Sequence, residues 1–528
     1  MSAKSGTIEK PNCPESLSDD AINININING AFEPVLRRDI KPLEIIALGF
    51  NVCNSWIAFS ASLAIAISAG GTVTVLYGIL IVALAYFAIS ITLSELASVY
   101  PTAGGQYHFT SILCPDKSNR LVSYICGLAA VCSWTFLAAS ITILSSQLLL
   151  AVPAFYIETF VPQGWHYFLV FQAINLVLLL YNIFCLQRAS WTHSIGFALS
   201  LVMFLIIFVT CLALSSKASS ESVWTTFDNH TGWPAGVTFL TGLVTPASMY
   251  GGIDAVLHLA EECTSPERTV PRAMMAIVTI GYLTGFGFAV SMCYSITNLE
   301  ALMTTTMPIY ELWRQATGNN TAATVFDIML HIITLFAVTA VQQTASRMTW
   351  AFARDGGLPG SSYLASVNVK HQVPVWALVT NSVVIFICGC IYLGSGAAFS
   401  AVIGSSLVLQ IISFTIPALL LLWHKRSDSV LPRDRAFRVP DAVGWTANIL
   451  VVIFGTVFSV FFILPAAIPV TGNSMSKLLP LPILHGADFV IDYASAVIAI
   501  CAIFGSLNWV FYSKKRFVGP RIEQYRRT

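Results

Sequence analysis

Apolar runs of 18 residues or more recur a dozen times along this 528-residue chain, and few charges interrupt them. Each is long enough to cross about 30 Å of hydrocarbon as a helix. Inside a bilayer every backbone N–H and C=O must find a partner within the protein, which restricts such segments to helices. The runs fall at 43–69, 73–94, 122–151, 167–186, 193–215, 237–260, 273–296, 324–346, 375–393, 399–423, 443–465 and 489–512. Composition agrees: 56% of residues are hydrophobic and 10% charged, against about 25% charged in soluble domains. The expected fold is therefore an all-α integral membrane bundle of about twelve spans. The net charge of +1 points to no acidic or nucleic-acid partner.

Basic residues orient the bundle, because cytoplasmic loops hold the excess of Lys and Arg. With the amino terminus inside, the inner segments hold 24 of the 27 and the outer segments hold 3. The cluster Lys425, Arg426, Arg433, Arg435 and Arg438 then lies inside, as does the tail segment Lys514-Lys515-Arg516. Such clusters set topology and attract anionic lipid. The acceptor sequons Asn229-His230-Thr231 and Asn319-Asn320-Thr321 fall in outer loops, which makes Asn229 and Asn319 candidate glycosylation sites. Residues 1–41 contain no apolar signal core, and their Ile-Asn alternation from Ile22 to Asn29 reads as a disordered cytoplasmic tail. Residues 513–528 read as a short basic cytoplasmic tail. The 12 cysteines sit singly, mostly within apolar runs, so neither a disulfide framework nor a metal cluster is expected.

Two spans carry the marks of a broken helix. The first runs through Asn51-Val52-Cys53-Asn54-Ser55-Trp56, with three polar side chains in five residues. The sixth runs through Pro246-Ala247-Ser248-Met249-Tyr250-Gly251-Gly252, where Pro246 lacks a backbone donor and the glycines lack helix preference. Unwinding is expected near 51–56 and 247–252. Paired breaks in matching positions of two halves point to a transport site, and an offset of five spans makes the second unit inverted. A glycine-packed kink is the simpler alternative.

Asp254 follows the second break, and His258 and Glu262 follow at four-residue intervals on one helical face. Ionisable groups within a span are costly, and histidine titrates near neutral pH, so the three are candidate proton-coupling residues. The competing reading makes Asp254 and His258 a structural pair and places Glu261 and Glu262 among head groups. Asp327 and His331, in span eight, read as interfacial. Glu95 reads as a packing residue at the inner end of span two. Trp56, Trp134 and Tyr250 offer ring faces for a cationic ligand. Gln342 and Gln343 either face the site or pack between helices.

The segments Ser94-Glu95-Leu96-Ala97-Ser98-Val99-Tyr100-Pro101-Thr102-Ala103-Gly104-Gly105-Gln106-Tyr107, Asp254 to Pro271 and Ala351 to Pro359 occur in order, together with the glycine-bounded stretch Gly49 to Gly71. Across residues 40–515 the chain resembles the amino acid–polyamine–organocation superfamily, most nearly its fungal amino acid, GABA and choline permease branch. The resemblance implies a five-plus-five inverted repeat of the LeuT type, with repeats over about 42–215 and 237–423. Helices eleven and twelve, over about 443–512, lie outside the repeat. It implies a substrate held between spans one and six, facing spans three and eight, and proton-coupled uptake. The expected binding set is Asn51, Asn54, Ser55, Trp56, Ser248, Met249, Tyr250, Gly251 and Asp254, with Trp134 and Gln342 facing them. Superfamily members that grip a carboxylate often carry G-x-G at the first break, where this chain has Asn54-Ser55-Trp56; the choline and GABA-like branch is nearer to that variant. Some members use a lysine in span five, which has no Lys or Arg between Trp191 and Ser216 here.

The expected activity is import of a small amino acid or amine such as GABA, a neutral amino acid or choline, in the plasma membrane or the vacuole. Another organic cation, such as a polyamine or a thiamine-like compound, and a nutrient sensor that barely transports are the alternatives. No nucleophile elbow, phosphate loop or metal cluster argues for an enzyme or a cofactor. If the charge count sets the topology, a cysteine at Lys217 labels with an impermeant thiol reagent from outside and one at Arg433 does not. The reverse pattern refutes the topology.

Overall fold

In the computed structural model, residues 40–519 are described, except 158, 187–190, 306, 466–467 and 469–492. The tail 1–39, residues 520–528 and the expected start of span twelve at 489 lie outside the described residues.

Among the described residues, eleven helices are long and apolar enough to cross a membrane, and a shorter apolar helix pair begins the sixth span. Large apolar side chains such as Leu176, Val209 and Leu283 point outward, while Asn51, Ser55, Glu95 and Asp254 are buried. The bundle is thus apolar at its rim and polar along its axis, as bilayer solvation favours.

Span two (Gly71–Val99) packs along span seven (Pro266–Ser295), and span three (Asn119–Tyr156) along span eight (Asn320–Arg354). Both pairs join spans five apart. Span one (Pro42–Ser68) lies against spans five (Trp191–Leu214), seven and eight. Spans nine (Val375–Gly394) and four (Gly164–Phe184) pair at one flank, and span ten (Gly396–Trp423) packs on span three and on span eleven (Asp441–Phe461).

Several helices outrun their apolar runs because ion pairs neutralise the charges at their ends. Span two continues past 94 through Glu95, whose carboxylate is fully buried between Arg426 and Arg435. Span eight continues past 346 through Arg347, paired with Glu262. Hydropathy falls at each charge, so the sequence ended these spans five to eight residues early. Three shorter helices carried no signal of spanning length: the buried Gln106–Leu113 after span two, and Leu299–Thr304 and Pro308–Thr317 before span eight.

Both expected breaks are present, but narrower or displaced. Span one breaks at a single residue, Asn54, with φ +22° between helices Pro42–Cys53 and Ser55–Ser68. Asparagine tolerates positive φ better than most residues. In span six, Ala247 and Ser248 are still helical, ending the segment Val244–Ser248; the break covers 249–254. Pro246 sits in the first turn of that segment, where no intrahelical donor is required of it, so it does not start the break. The chain from 249 to 254 tightens into i→i−3 hydrogen bonds, including Met249 N to Pro246 O and Ile253 N to Tyr250 O. Gly252 takes φ +79°, and its N–H donates to Gln410 Oε1 of span ten (3.2 Å). A four-residue helix, Ala255–His258, follows.

A Cβ on Gly252 would lie against Val52 and Trp134, in a left-handed conformation costly to other residues. Gly252→Ala should lower stability by about 1–2 kcal/mol or more, read as a lower thermal midpoint in detergent. Gly236→Ala, with open space around it, should leave the midpoint unchanged. Equal midpoints for the two variants would show that the break tolerates a side chain.

Candidate functional site

The break in span six delivers Asp254 to the bundle axis, 1% exposed, where donors from four directions meet its carboxylate. Gln106 Nε2 donates to Oδ2 (2.6 Å), as does Trp134 Nε1 of span three (3.3 Å). Gln410 Nε2 of span ten donates to Oδ1 (3.2 Å). His258 Nε2 lies 3.0 Å from Oδ2. The Gln410 amide therefore serves the break twice, accepting from Gly252 and donating to Asp254.

His258 is buried, and its other ring nitrogen, Nδ1, faces the Ala103 carbonyl at 2.9 Å. A carbonyl only accepts, so Nδ1 carries a hydrogen. A second proton must then lie between Nε2 and the Asp254 carboxylate for that contact to be attractive. Asp254 and His258 thus form a buried, hydrogen-bonded pair at the break.

The loop after span two closes this assembly from one end. Ala103 accepts from His258, its N–H donates to Glu261 Oε1 (3.1 Å), and Gln106 reaches Asp254. Gly105 takes φ +53° and would place a Cβ against the His258 ring. The Pro101 to Tyr107 segment is thus the docking partner of Asp254 to Glu262. Around it runs a lattice of charge pairs: Glu261 with Arg354 (2.8 Å), Glu262 with Arg347 (2.8 Å), and Asp355 with His108 (2.7 Å) and the Tyr107 hydroxyl (2.9 Å). Burial pushes the Asp355 carboxyl up, but the charge and hydrogen bond of His108, with Arg354, outweigh it and hold it below the usual carboxylate range. Glu261 is likewise held low: Arg354 and the Ala103 N–H overcome the effect of burial.

The expected site residues separate into three groups. Trp134, Asp254 and His258 come together as described. Span one contributes a second cluster on the opposite side: Asn54 Nδ2 and Trp56 Nε1 both donate to Ser200 Oγ of span five (3.0 Å each), and Trp56 packs on Phe288 and Phe204. Asn51 donates to the His193 carbonyl (2.8 Å), and Ser55 Oγ ties the two breaks by donating to Met249 O (2.7 Å). Tyr250 turns instead to span two, stacked on Tyr86 at 5.1 Å, so Trp56 and Tyr250 engage different neighbours. Gly251 lies where its Cβ would approach Leu137 and Leu407 of spans three and ten.

Four expectations need correction. Gln342 does not face the breaks: its amide accepts from Asn182 and donates to Asn175, both on span four. Ser248 Oγ donates to Thr245 O within its own helix. Glu262 is not the next member of a chain from His258, because the helix ends at His258 and Arg347 takes the carboxylate. Asp327 is fully buried rather than interfacial, with no protein donor at either oxygen, while His331 turns to Ser145.

Sequence reasoning passed over Gln106, Gln410, Ser200 and His193. Gln106 belongs to a quoted motif, and its place between the glycine pair and a buried helix was the available signal. Gln410 and Ser200 sit within apolar runs where a single polar residue carries no direction. His193, whose Nε2 bonds Gln343 Oε1 (2.8 Å), lies at the start of the span searched only for lysine and arginine. Asn229 and Asn319 are both exposed; Asn319 Oδ1 caps span eight at Thr321 and Ala322.

An all-helical bundle with paired discontinuous spans and an ionisable group at the break is the architecture of a secondary transporter. Residues 40–487 match the family described as amino acid permease, and the chain belongs to that family. It is 33% identical to a choline transporter of Saccharomyces cerevisiae, over 91% of this chain and 83% of that one. It is 29% identical to a swainsonine transporter of Arthroderma benhamiae, over 91% and 92%. A manganese transporter from Eremococcus coleocola shares the fold, with a TM-score of 0.54 over 88% of this chain and 93% of that one, at 12% identity. That likeness concerns the fold alone. The chain is a multi-pass transporter of small organic compounds with a LeuT-type arrangement.

Arg347 and Glu262 are both nearly fully buried. Arg347→Ala leaves Glu262 unpaired and should destabilise by about 3–5 kcal/mol. The double variant Arg347→Ala/Glu262→Gln should recover most of that loss, read by thermal unfolding in detergent. A double variant as unstable as the sum of the single changes would show that the pair contributes no coupling.

Proposed function

We propose that the protein imports a small amine or amino acid, with a choline-like cation the leading substrate, by proton-coupled alternating access. The observation that carries this reading is the buried Asp254–His258 pair, in contact at 3.0 Å beside a helix break on the bundle axis. The relative named as a choline transporter supports a cationic ligand, as does the Trp134 indole beside the carboxylate. Trp56, Asn54 and Ser200 would line the far side of the path, with Asn51, Ser55, Met249, Tyr250 and Gly251 forming the broken backbone between.

In this scheme the substrate's cationic group approaches Asp254 beside His258, and the substrate and a proton on the pair are carried inward together. That proton cannot pass to Glu262, which Arg347 holds. Its exit follows undocking of the Pro101 to Tyr107 loop, since Ala103 binds the other face of the ring. Proton release and inner opening are thereby the same motion. A proton moving inward supplies about 2.3 kcal/mol per 100 mV.

The orientation with both termini cytoplasmic follows the basic-residue count, and the plasma membrane is the proposed location. Glycans at Asn229 and Asn319 would then lie outside.

His258→Gln removes the proton while retaining a donor. It should lose accumulation against a gradient and flatten the pH dependence of radiolabelled choline uptake in cells lacking their own permeases, while exchange persists. Asp254→Asn should lower binding as well, by about 10- to 100-fold for a lost charge-assisted bond. Normal transport by both variants across the pH range, at normal surface level, would refute the scheme. A panel of GABA, neutral amino acids, polyamines and thiamine in the same cells decides the substrate.

A further inference from the structure

The chain turning from span ten into span eleven encloses a cavity of about 310 Å³ that plays no part in the site above. Five cationic side chains line it, Lys425, Arg426, Arg433, Arg435 and Arg438, against two acids, Asp428 and Asp441. Two of the five are fixed. Arg426 and Arg435 have side chains 3% and 4% exposed, and both bind the fully buried Glu95 carboxylate of span two. Their positions are set from behind, and Arg426 Nη1 also donates to Asn448 Oδ1 (3.2 Å) while Arg435 Nη1 donates to the Leu431 and Pro432 carbonyls, so both arginines are held rigidly in the wall. Arg435 Nε is buried and meets no protein acceptor.

The other three cations are free to move. Arg433 pairs with Asp428, both more than 60% exposed, and Arg438, 43% exposed, lies 3.8 Å from the exposed Asp441. Exposed pairs of this kind contribute little and break easily. Lys425 is exposed. With Glu95 counted behind the wall, the lining keeps a net charge of +2. The cavity therefore combines rigid arginines at the back with mobile cations at the mouth, which suits a compact dianion held by several charge-assisted bonds.

Its depth is marked by two tryptophans. Trp423 ends span ten at 75% exposure, and Trp445 near the start of span eleven is 37% exposed and lines the cavity. Indoles of this kind sit at head-group level, so the mouth opens where lipid phosphates lie.

We propose that this cavity binds a phosphate monoester, presented by an anionic lipid head group of the cytoplasmic leaflet. The lipid source rests on the inside orientation proposed above; the phosphate chemistry does not. Occupancy would brace Arg426 and Arg435 on Glu95, and thus the end of the span that leads into the Pro101 to Tyr107 loop.

The test uses the purified full-length protein in phosphatidylcholine nanodiscs, with and without phosphatidylinositol bisphosphate. Lipid retention is counted by native mass spectrometry and affinity by a fluorescent lipid analogue. Lys425→Gln/Arg433→Gln/Arg438→Gln changes only exposed wall residues. It should weaken binding by about 100-fold if each charge counts as it does near an anionic surface. Lys514→Gln/Lys515→Gln/Arg516→Gln on the tail should change it less than about threefold for a specific cavity. Inositol trisphosphate in solution serves as the second probe. Competition by it at equal affinity supports a free phosphate ester as the source, and binding of the lipid alone supports the membrane. Unchanged affinity in the wall variant, or equal losses in wall and tail variants, overturns the cavity. Neither result bears on the Asp254–His258 pair, which transport measurements test separately.

Discussion

The buried carboxylate of Asp254 organises the centre of this protein. A lone charge at that depth would cost many kcal/mol, and the bundle accommodates it by bringing four side chains to it from the short helix after span two, span three, span six itself and span ten. Those contacts determine much else. The break must place Asp254 on the axis, so the chain from 249 to 254 leaves the α-helix. Gly252 must accept a left-handed conformation, and Gln410 must satisfy the N–H that the turn releases. A histidine one turn on completes the set.

The charge pairs around this centre have a common logic. Glu95, Glu261, Glu262 and Asp355 are each matched by arginine or histidine from a distant part of the chain. Such pairs add little net stability when both partners are buried, yet removing one partner is costly. They therefore specify which ends meet. Because one segment, Pro101 to Tyr107, touches Asp254, His258, Glu261 and Asp355, it ties the axis to these charge pairs.

The chain is similar to transporters named for choline and swainsonine. The first break offers amide and hydroxyl groups rather than a run of glycines, and Asn54 and Trp56 share Ser200.

Much of the fold was legible in the sequence because bilayer solvation is a one-dimensional constraint. A run of 18 apolar residues is read without knowing its neighbours, and the two interrupted runs, five spans apart, stood out as glycine, proline and asparagine where leucine would otherwise serve. Asp254, His258 and Trp134 were legible as ionisable or aromatic groups beside a break. Their partners were not. Whether Gln410, Gln106 or Gln342 reaches the axis depends on helix rotation, which many weak packing contacts set together. Only one of these three glutamines, Gln342, had been expected there, and it is the one that turns to span four. The ends of spans two and eight were misplaced for a related reason: hydropathy prices a charge as though it were alone, whereas Glu95 and Arg347 are neutralised by residues hundreds and tens of positions away. The sequence by itself determined how many times the chain crosses the membrane and where it breaks to within a few residues. The tertiary structure alone decided which polar groups meet, because in a medium without water each buried charge is tolerable only in the company that the folded bundle brings to it.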